Sequence, residues 1–313
     1  MTKPDVLMVG PYPDWEMPQL ESDYVVHKLW LAEDRPRFLS EVGPRIRAIA
    51  TNGVLGADAE LINACPRLEI IACFGVGFDA IDLDRARTRG IRVTNTPDVL
   101  TEDVADMAFA LILASLRRIV EGDAYVRSGA WTKGALPLGR SLNGKRLGIL
   151  GYGRIGRAIA RRASAFGMSV AYCDLAKDPS SPHVYHADPV SLARASDILV
   201  AVTAGGAATR NLVGPSVFDA LGPEGLFVNV SRGPVVDEPA LIAALEQKRI
   251  GGAALDVFWN EPNIDRRLLG FANVVLQPHH ASGTVETRKA MGKLVRDNLA
   301  AHFAGRPLPT PVI

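Results

Sequence analysis

From residue 146 onward, short apolar runs alternate with longer stretches whose apolar positions recur at helical spacing. The runs at 146–150, 169–173, 197–203, 226–231, 252–258 and 273–277 predict strands. Asp188-Pro189 and Gly214-Pro215 open two of the intervening helices. Asp237-Glu238-Pro239 opens a third, which ends near Gly251. Six strands with helices between them predict a parallel, doubly wound sheet. The stretch before residue 100 repeats this rhythm more loosely, with strands expected at 5–9, 46–51, 69–74 and 92–96. A second, smaller α/β unit is expected there. Between the units, 101–120 reads as one long helix, apolar on nearly every face. Glu102, Asp103 and Asp106 stand at its start and Arg117 and Arg118 near its end, as the helix dipole favours. Such a helix is expected to be buried all round, between domains or between subunits. A last helix is expected over 284–304, stopped by Gly305 and Pro307.

Composition narrows the class. The chain's 313 residues are enough for about two domains, each with its own core. A net charge of +1 gives no electrostatic case for nucleic acid or a membrane surface. The arginine-rich stretch from Arg154 to Arg162 is expected to be a solvated helix face. The longest strongly apolar run, 107–116, is about half a membrane span. Cys65, Cys73 and Cys173 lack metal-ligand spacing, so reduced, buried thiols and no metal are expected. His183 and His186 are spaced like a metal pair, but they fall in a Pro- and Ser-rich loop where exposure is expected. No signal peptide is read ahead of the first strand, and a soluble cytoplasmic protein is expected.

The chemistry starts at 146–156. An apolar strand runs straight into Gly151, Tyr152, Gly153, Arg154, Ile155 and Gly156, with a helical pattern behind it and Asp174 closing the next strand. This is a dinucleotide fingerprint in its proper context. Gly151 makes the tight turn, Gly153 admits the pyrophosphate, and Gly156 lets the helix pack. The phosphates are expected at the helix N-terminus, where free N–H groups favour anions. Asp174 is placed to hold the ribose hydroxyls. In an open parallel sheet, ligands bind beyond the carboxyl ends of the strands. At those ends stand Ser231-Arg232-Gly233, Asp256 with Glu261 beyond it, and Pro278-His279-His280. An arginine, a carboxylate and a histidine suit reduction of a 2-keto acid by hydride transfer. Arg232 would hold the carboxylate and polarise the carbonyl. His279 would protonate the developing alkoxide, and Glu261 would orient the histidine and favour its imidazolium form. A second glycine turn, Phe74-Gly75-Val76-Gly77-Phe78-Asp79, lacks a third glycine and is not read as a nucleotide site.

These motifs, with Asn95-Thr96-Pro97-Asp98-Val99-Leu100-Thr101, Asn229-Val230-Ser231-Arg232-Gly233 and Leu255-Asp256-Val257-Phe258, resemble the D-isomer-specific 2-hydroxyacid dehydrogenase family. The match runs in family order over about residues 46 to 304. It is closest to the glyoxylate/hydroxypyruvate and hydroxyphenylpyruvate reductase branch, supported by Gly129-Ala130-Trp131 and Gly283-Thr284-Val285-Glu286-Thr287-Arg288. The resemblance implies a Rossmann dinucleotide-binding domain over 98–283. It also implies a discontinuous, flavodoxin-like substrate domain made of 1–97 and 284–313. It implies a homodimer built on the helix after Thr101, and substrate contacts from Asn52, Gly53, the N–H groups of Val76 and Gly77, and Trp131 of one subunit or the other. Asp256 would touch the nicotinamide amide or support the triad. Thr101, Thr203, Val230, Ser231 and Ser282 join the glycine turn and Asp174 as expected cofactor contacts.

Two positions depart from the family. His280 stands where an apolar residue is usual, and Asp174-Leu175 replaces the small residue and arginine common in NADP-using members. NAD(H) is therefore the expected cofactor, with NADP(H) as the alternative, and the expected partner is a small 2-keto or 2-hydroxy acid. Two other readings stay open. One is a dehydrogenase of another small acid, such as formate, phosphite or phosphoglycerate. The other is a non-catalytic NAD-sensing scaffold of the same fold.

Overall fold

Twelve short strands carry the architecture of this computed structural model, which describes residues 3–313. Five lie in one sheet: β1 (Asp5–Met8), β2 (Val25–Lys28), β3 (Ala48–Asn52), β4 (Ile70–Phe74) and β5 (Arg92–Thr94). Their order is β2-β1-β3-β4-β5, all parallel. This is the flavodoxin-like order. The other seven are β6 (Arg146–Leu150), β7 (Ser169–Cys173), β8 (Val184–His186), β9 (Ile198–Ala201), β10 (Leu226–Asn229), β11 (Gly252–Leu255) and β12 (Val274–Leu276). They run β12-β11-β10-β9-β6-β7-β8, again parallel throughout. The order reverses between β6 and β9, the switch point of a Rossmann sheet. β9, β10 and β11 are buried along their whole length, as strands covered by helices on both faces must be.

The chain divides into two compact units. One holds the described residues through Leu100 together with Gly283–Ile313, and the other is Thr101–Ser282. The C-terminal segment belongs to the first unit for identifiable reasons. Val312 N–H donates to the Val93 carbonyl at 2.7 Å, extending the β5 edge. Asn298, fully buried in the helix Val285–Phe303, donates to Thr310 Oγ1 at 2.8 Å, and Thr310 Oγ1 in turn donates to the Asn95 carbonyl at 2.6 Å. Glu16, almost fully buried, pairs with Arg296 of the same helix, and Gly292 leaves the space its carboxylate occupies.

Three expectations are corrected. The seven-stranded sheet has one strand more than the six read from the chain, because 184–186 pairs with β7 at the sheet edge. His183 and His186 are accordingly half-buried rather than exposed, and burial lowers the His183 pKa. β2 is a further strand of the smaller sheet, beyond the four expected there. The helix expected over 101–120 stops at Leu116. Arg118 takes a left-handed φ of 53°, and a second helix runs Ile119–Arg127. The cause is distant in sequence: Arg140 N–H caps the Leu116 carbonyl at 2.7 Å, and Gly139 crosses so close that a Cβ there would lie 2.6 Å from that oxygen. Arg154, Arg157 and Arg161 are exposed, as expected of a solvated face, and Arg161 and Arg162 carry ion pairs on it. They bond Glu102, at 2.6 and 2.8 Å, and Arg162 also bonds Asp106, tying the glycine-turn helix to the helix Thr101–Leu116. No helix among the described residues is long and apolar enough to cross a membrane.

Candidate functional site

The carboxyl end of β6 enters the glycine turn, and each glycine meets a different constraint. Gly151 has φ +98°, and a Cβ there would lie 2.8 Å from Thr203 N, beyond β9. Gly156 carries the helix Arg154–Ala165 against the Gly151 carbonyl, leaving no room for a side chain. Gly153, the N-cap of that helix, faces open space, where a Cβ would only block the approach of a ligand. At the same switch point the Thr203 hydroxyl is buried with no hydrogen-bond partner among the described residues. An anion-accepting helix end, an open backbone face and an orphaned hydroxyl fit a dinucleotide pyrophosphate.

Asp174 follows β7 and is already engaged. Its carboxylate accepts the Tyr152 N–H at 2.6 Å and the Leu175 N–H at 2.7 Å. A carboxylate has about four acceptor positions, so capacity remains for ribose hydroxyls. The two bonds also fix its direction, so the charge cannot swing aside without breaking the turn. Leu175 beside it is fully exposed.

Three loops after adjacent strands hold the other candidates. After β10, buried Asn229 accepts Ser231 N–H at 3.0 Å and Ser231 Oγ–H at 2.6 Å, and donates to the Arg232 carbonyl at 3.1 Å. This asparagine turn presents Arg232, whose Nη1 donates to the Ser231 carbonyl at 2.8 Å. After β11, Glu261 accepts Phe258 N–H at 2.8 Å through one oxygen and the His279 Nδ1–H at 2.6 Å through the other. Burial alone would raise the Glu261 carboxyl. The bond and charge of His279, the Phe258 N–H and the charge of Arg232 outweigh it, so the net direction is down.

After β12, His279 adopts φ +50°, a left-handed conformation costing roughly 1–2 kcal/mol for a residue with a Cβ. Asp256 holds it there. Its carbonyl accepts His279 N–H at 2.7 Å, and its carboxylate accepts His280 N–H at 2.7 Å and Ala281 N–H at 3.0 Å. Asp256 is thus bonded to three successive backbone N–H groups of this turn. The His280 side chain is exposed, unlike the partly covered, bonded His279 ring.

Arg232, Glu261, His279 and Asp256 thus share one end of the seven-stranded sheet, and Gly151, Gly153, Gly156, Asp174, Thr203, Val230 and Ser231 stand along the same end. Thr101 begins its helix, and Ser282 follows the Asp256-held turn. Trp131 lies apart, 67% exposed in the short turn Ala130–Lys133. Asn52, Gly53, Val76 and Gly77 lie in the smaller unit, at the carboxyl ends of β3 and β4. Asn52 Oδ1 accepts the Val54 and Leu55 N–H groups at 2.9 and 2.8 Å. The Val76 carbonyl accepts the Asn95 Nδ2–H at 2.9 Å, which ties this turn to the end of β5. The sequence reading missed the organising role of Asn229, although asparagine at a strand end two residues before serine is a turn signal. No group of three or more His, Cys, Asp or Glu side chains able to hold a metal ion occurs among the described residues.

The chain is similar to known proteins over nearly its whole length. Residues 109–281 match the sequence profile of the D-isomer specific 2-hydroxyacid dehydrogenase NAD binding domain. The chain is 49% identical over 308 residues to hydroxyphenylpyruvate reductase of Plectranthus scutellarioides, covering 98% of each. The structure of a 2-hydroxyacid dehydrogenase from Ketogulonicigenium vulgare Y25 superposes with a TM-score of 0.93 at 55% identity, covering 100% of this chain and 99% of that one. An NADPH-dependent glyoxylate/hydroxypyruvate reductase from Sinorhizobium meliloti, solved with NADP and malonate, gives 0.92 at 43% identity, covering 99% and 97%.

Proposed function

Since the chain belongs to the D-isomer-specific 2-hydroxyacid dehydrogenase family, as an NAD(P)-dependent enzyme that reduces 2-keto acids to 2-hydroxy acids, we propose that Arg232, Glu261 and His279 carry its chemistry. The proposed substrates are glyoxylate, hydroxypyruvate or hydroxyphenylpyruvate, and the product is the D-2-hydroxy acid. The observation that carries this reading is the 2.6 Å bond between His279 Nδ1 and Glu261 at the strand ends that also present Arg232.

The residues divide the work. The bound nicotinamide supplies the hydride. The Arg232 guanidinium holds the substrate carboxylate and draws electron density onto the keto oxygen. With Nδ1 committed to Glu261, His279 keeps Nε2–H for the oxygen that becomes the alkoxide, and gives up that proton as the charge develops. The imidazole then remains as the Nδ1–H tautomer against Glu261. Asp256 acts through the backbone, fixing where the ring starts. In the smaller unit, the N–H groups of Gly53, Val76 and Gly77, with Asn52, are assigned to substrate binding. Trp131 is assigned to a substrate pocket. Thr101, Thr203, Val230, Ser231 and Ser282 join the glycine turn as cofactor contacts.

NAD(H) is the proposed cofactor. The Sinorhizobium meliloti relative takes NADP, so the fold does not decide the matter, but here Asp174 is bonded in place. A 2′-phosphate about 4 Å from it would meet a repulsion of up to roughly 4 kcal/mol at an effective dielectric near 20. The test is kcat/KM for NADH and NADPH with glyoxylate, hydroxypyruvate, pyruvate and 4-hydroxyphenylpyruvate, for wild type and Asp174→Ala. Turnover with NADH preferred, and a narrower gap in the variant, is expected. A native preference for NADPH removes the cofactor assignment. Cofactor binding without turnover of any 2-keto acid would instead favour the sensing scaffold.

The enzyme is proposed to act as a homodimer in the cytoplasm. Buried cysteines that form no disulfide are at home in a reducing compartment. The proposed interface is the helical segment that begins at Thr101 and continues, past Arg118, as Ile119–Arg127. Most apolar positions of Thr101–Leu116 are already buried. The following helix, Ile119–Arg127, buries none of its residues, and Ile119, Val120 and Val126 are each more than half exposed. A second copy covering this face would take those three side chains out of water. Light scattering at micromolar concentration should give about twice the 33.6 kDa chain mass. A fully active monomer contradicts the interface.

A further inference from the structure

The segment between β7 and β8 carries a second device beside the adenosine end of the glycine turn. Tyrosines hold its backbone. Tyr172 Oη accepts Asp178 N–H at 2.8 Å, and Tyr185 Oη donates to the Asp174 carbonyl at 3.3 Å. Ser181 Oγ donates to Tyr152 Oη at 3.2 Å, and the Tyr152 and Tyr172 rings stack at 4.1 Å. The loop is therefore shaped before any ligand arrives. On this frame the Arg157 Nη2 and Nε donate to Asp178 Oδ2 at 2.9 and 3.3 Å, and the guanidinium lies over the Tyr152 ring, 5.3 Å from its centroid. The other Asp178 oxygen accepts the Ser180 hydroxyl and N–H at 2.6 and 2.9 Å. Those bonds from Ser180, then the one from Arg157, bring the Asp178 carboxyl down to about 2, so it is an anion at any working pH.

Arg157 stands in the first turn of the helix that opens at Gly153, and Asp178 stands four residues beyond Asp174. A guanidinium fork is the side chain best shaped to take a phosphate. Here the fork is turned onto Asp178 instead. Half-exposed ion pairs of this kind add little stability, so stability is a weak reason for the pair. We propose that Asp178 is a cofactor-selectivity residue: it latches Arg157 on the face of Tyr152, withholding the cation that a 2′-phosphate would need. The inference rests on the dinucleotide reading above and adds a second element to the choice made at Asp174. An open groove of about 500 Å³, lined by Tyr152, Arg157, Arg161, Asp178, Ser181 and His183, lies beside the pair, so the guanidinium is not packed in on that side.

The test compares wild type, Asp178→Ala, Arg157→Met and the double variant at one ionic strength. The readout is the equilibrium dissociation constants of NADPH and NADH, from quenching of tryptophan fluorescence, with the thermal midpoint as the check on folding. Asp178→Ala is expected to tighten NADPH relative to NADH by about tenfold, the low end for a charge-assisted bond at a half-exposed site. In the double variant that gain should vanish, and Arg157→Met alone should leave the ratio near wild type. A gain that survives in the double variant means that loss of the Asp178 charge, not release of Arg157, is responsible, and overturns the latch. So does a folded Asp178→Ala with an unchanged ratio, or an Arg157→Met that by itself weakens NADPH, since Arg157 would then already serve the phosphate. A wild-type preference for NADPH bears on Asp174 alone and is read from a different variant, so the two failures are separable.

Discussion

His279→Gln is expected to lower kcat for 2-keto acid reduction by on the order of 10²–10⁴, the usual worth of a general acid, while His280→Gln leaves most of the activity. The two histidines are adjacent, and Asp256 bonds the backbone of both. Only His279 has its ring engaged, through Nδ1 on Glu261 at 2.6 Å. Glutamine can imitate the bond to Glu261 but cannot deliver a proton. The larger loss at His280 would reverse the assignment. Glu261 supplies a second, independent reading of the same pair. Its carboxyl titrates below the usual range, because the His279 bond and the nearby charges outweigh burial. It is therefore ionised where the enzyme works, and its contribution to stability is present above the ordinary carboxylate range and lost as pH falls through the lowered value. A negative neighbour favours the imidazolium, the form needed for reduction. In Glu261→Gln that support is gone, so the alkaline fall in kcat should move to lower pH. An unmoved profile would uncouple Glu261 from the proton donor.

Arg232→Lys is expected to lower kcat/KM for the 2-keto acid by roughly 10- to 100-fold, the worth of about 1.5–3 kcal/mol for a charge-assisted bond, while NADH affinity stays nearly unchanged. Lysine keeps the charge and loses the planar fork, so the comparison isolates geometry from electrostatics. The fork is already directed, since Nη1 is anchored on the Ser231 carbonyl and Asn229 holds the loop beneath it. Near-normal kcat/KM with this substitution would remove Arg232 from substrate binding. A matching loss of NADH affinity would show instead that the loop had collapsed.

What was legible in the chain alone was whatever burial writes into a local pattern. β6, β7 and β9 to β11 are legible from residue order, because strands with a neighbour on each side and covering helices are apolar runs. The glycine turn was legible for a related reason: its residues are excluded by backbone geometry within a few positions, as at Gly151 and Gly156. The placing of Arg232, Glu261 and His279 at strand ends followed from parallel topology, which fixes the end at which ligands bind.

The tertiary structure decided what depends on partners remote in sequence. β2 and β8 are edge strands, paired on one side only, and the polar residues they carry, His27 and Lys28 in β2 and His186 in β8, cut the apolar run short. The helix end at Leu116 is set by Arg140, and the bonds of Arg161 and Arg162 by Glu102 and Asp106, across gaps that no periodicity spans. The left-handed turn at His279 needs the carboxylate of Asp256 to hold it. Local sequence encodes which faces must leave water. Which polar group meets which is settled only when those faces have closed, because a hydrogen bond or ion pair depends on distances that folding alone creates.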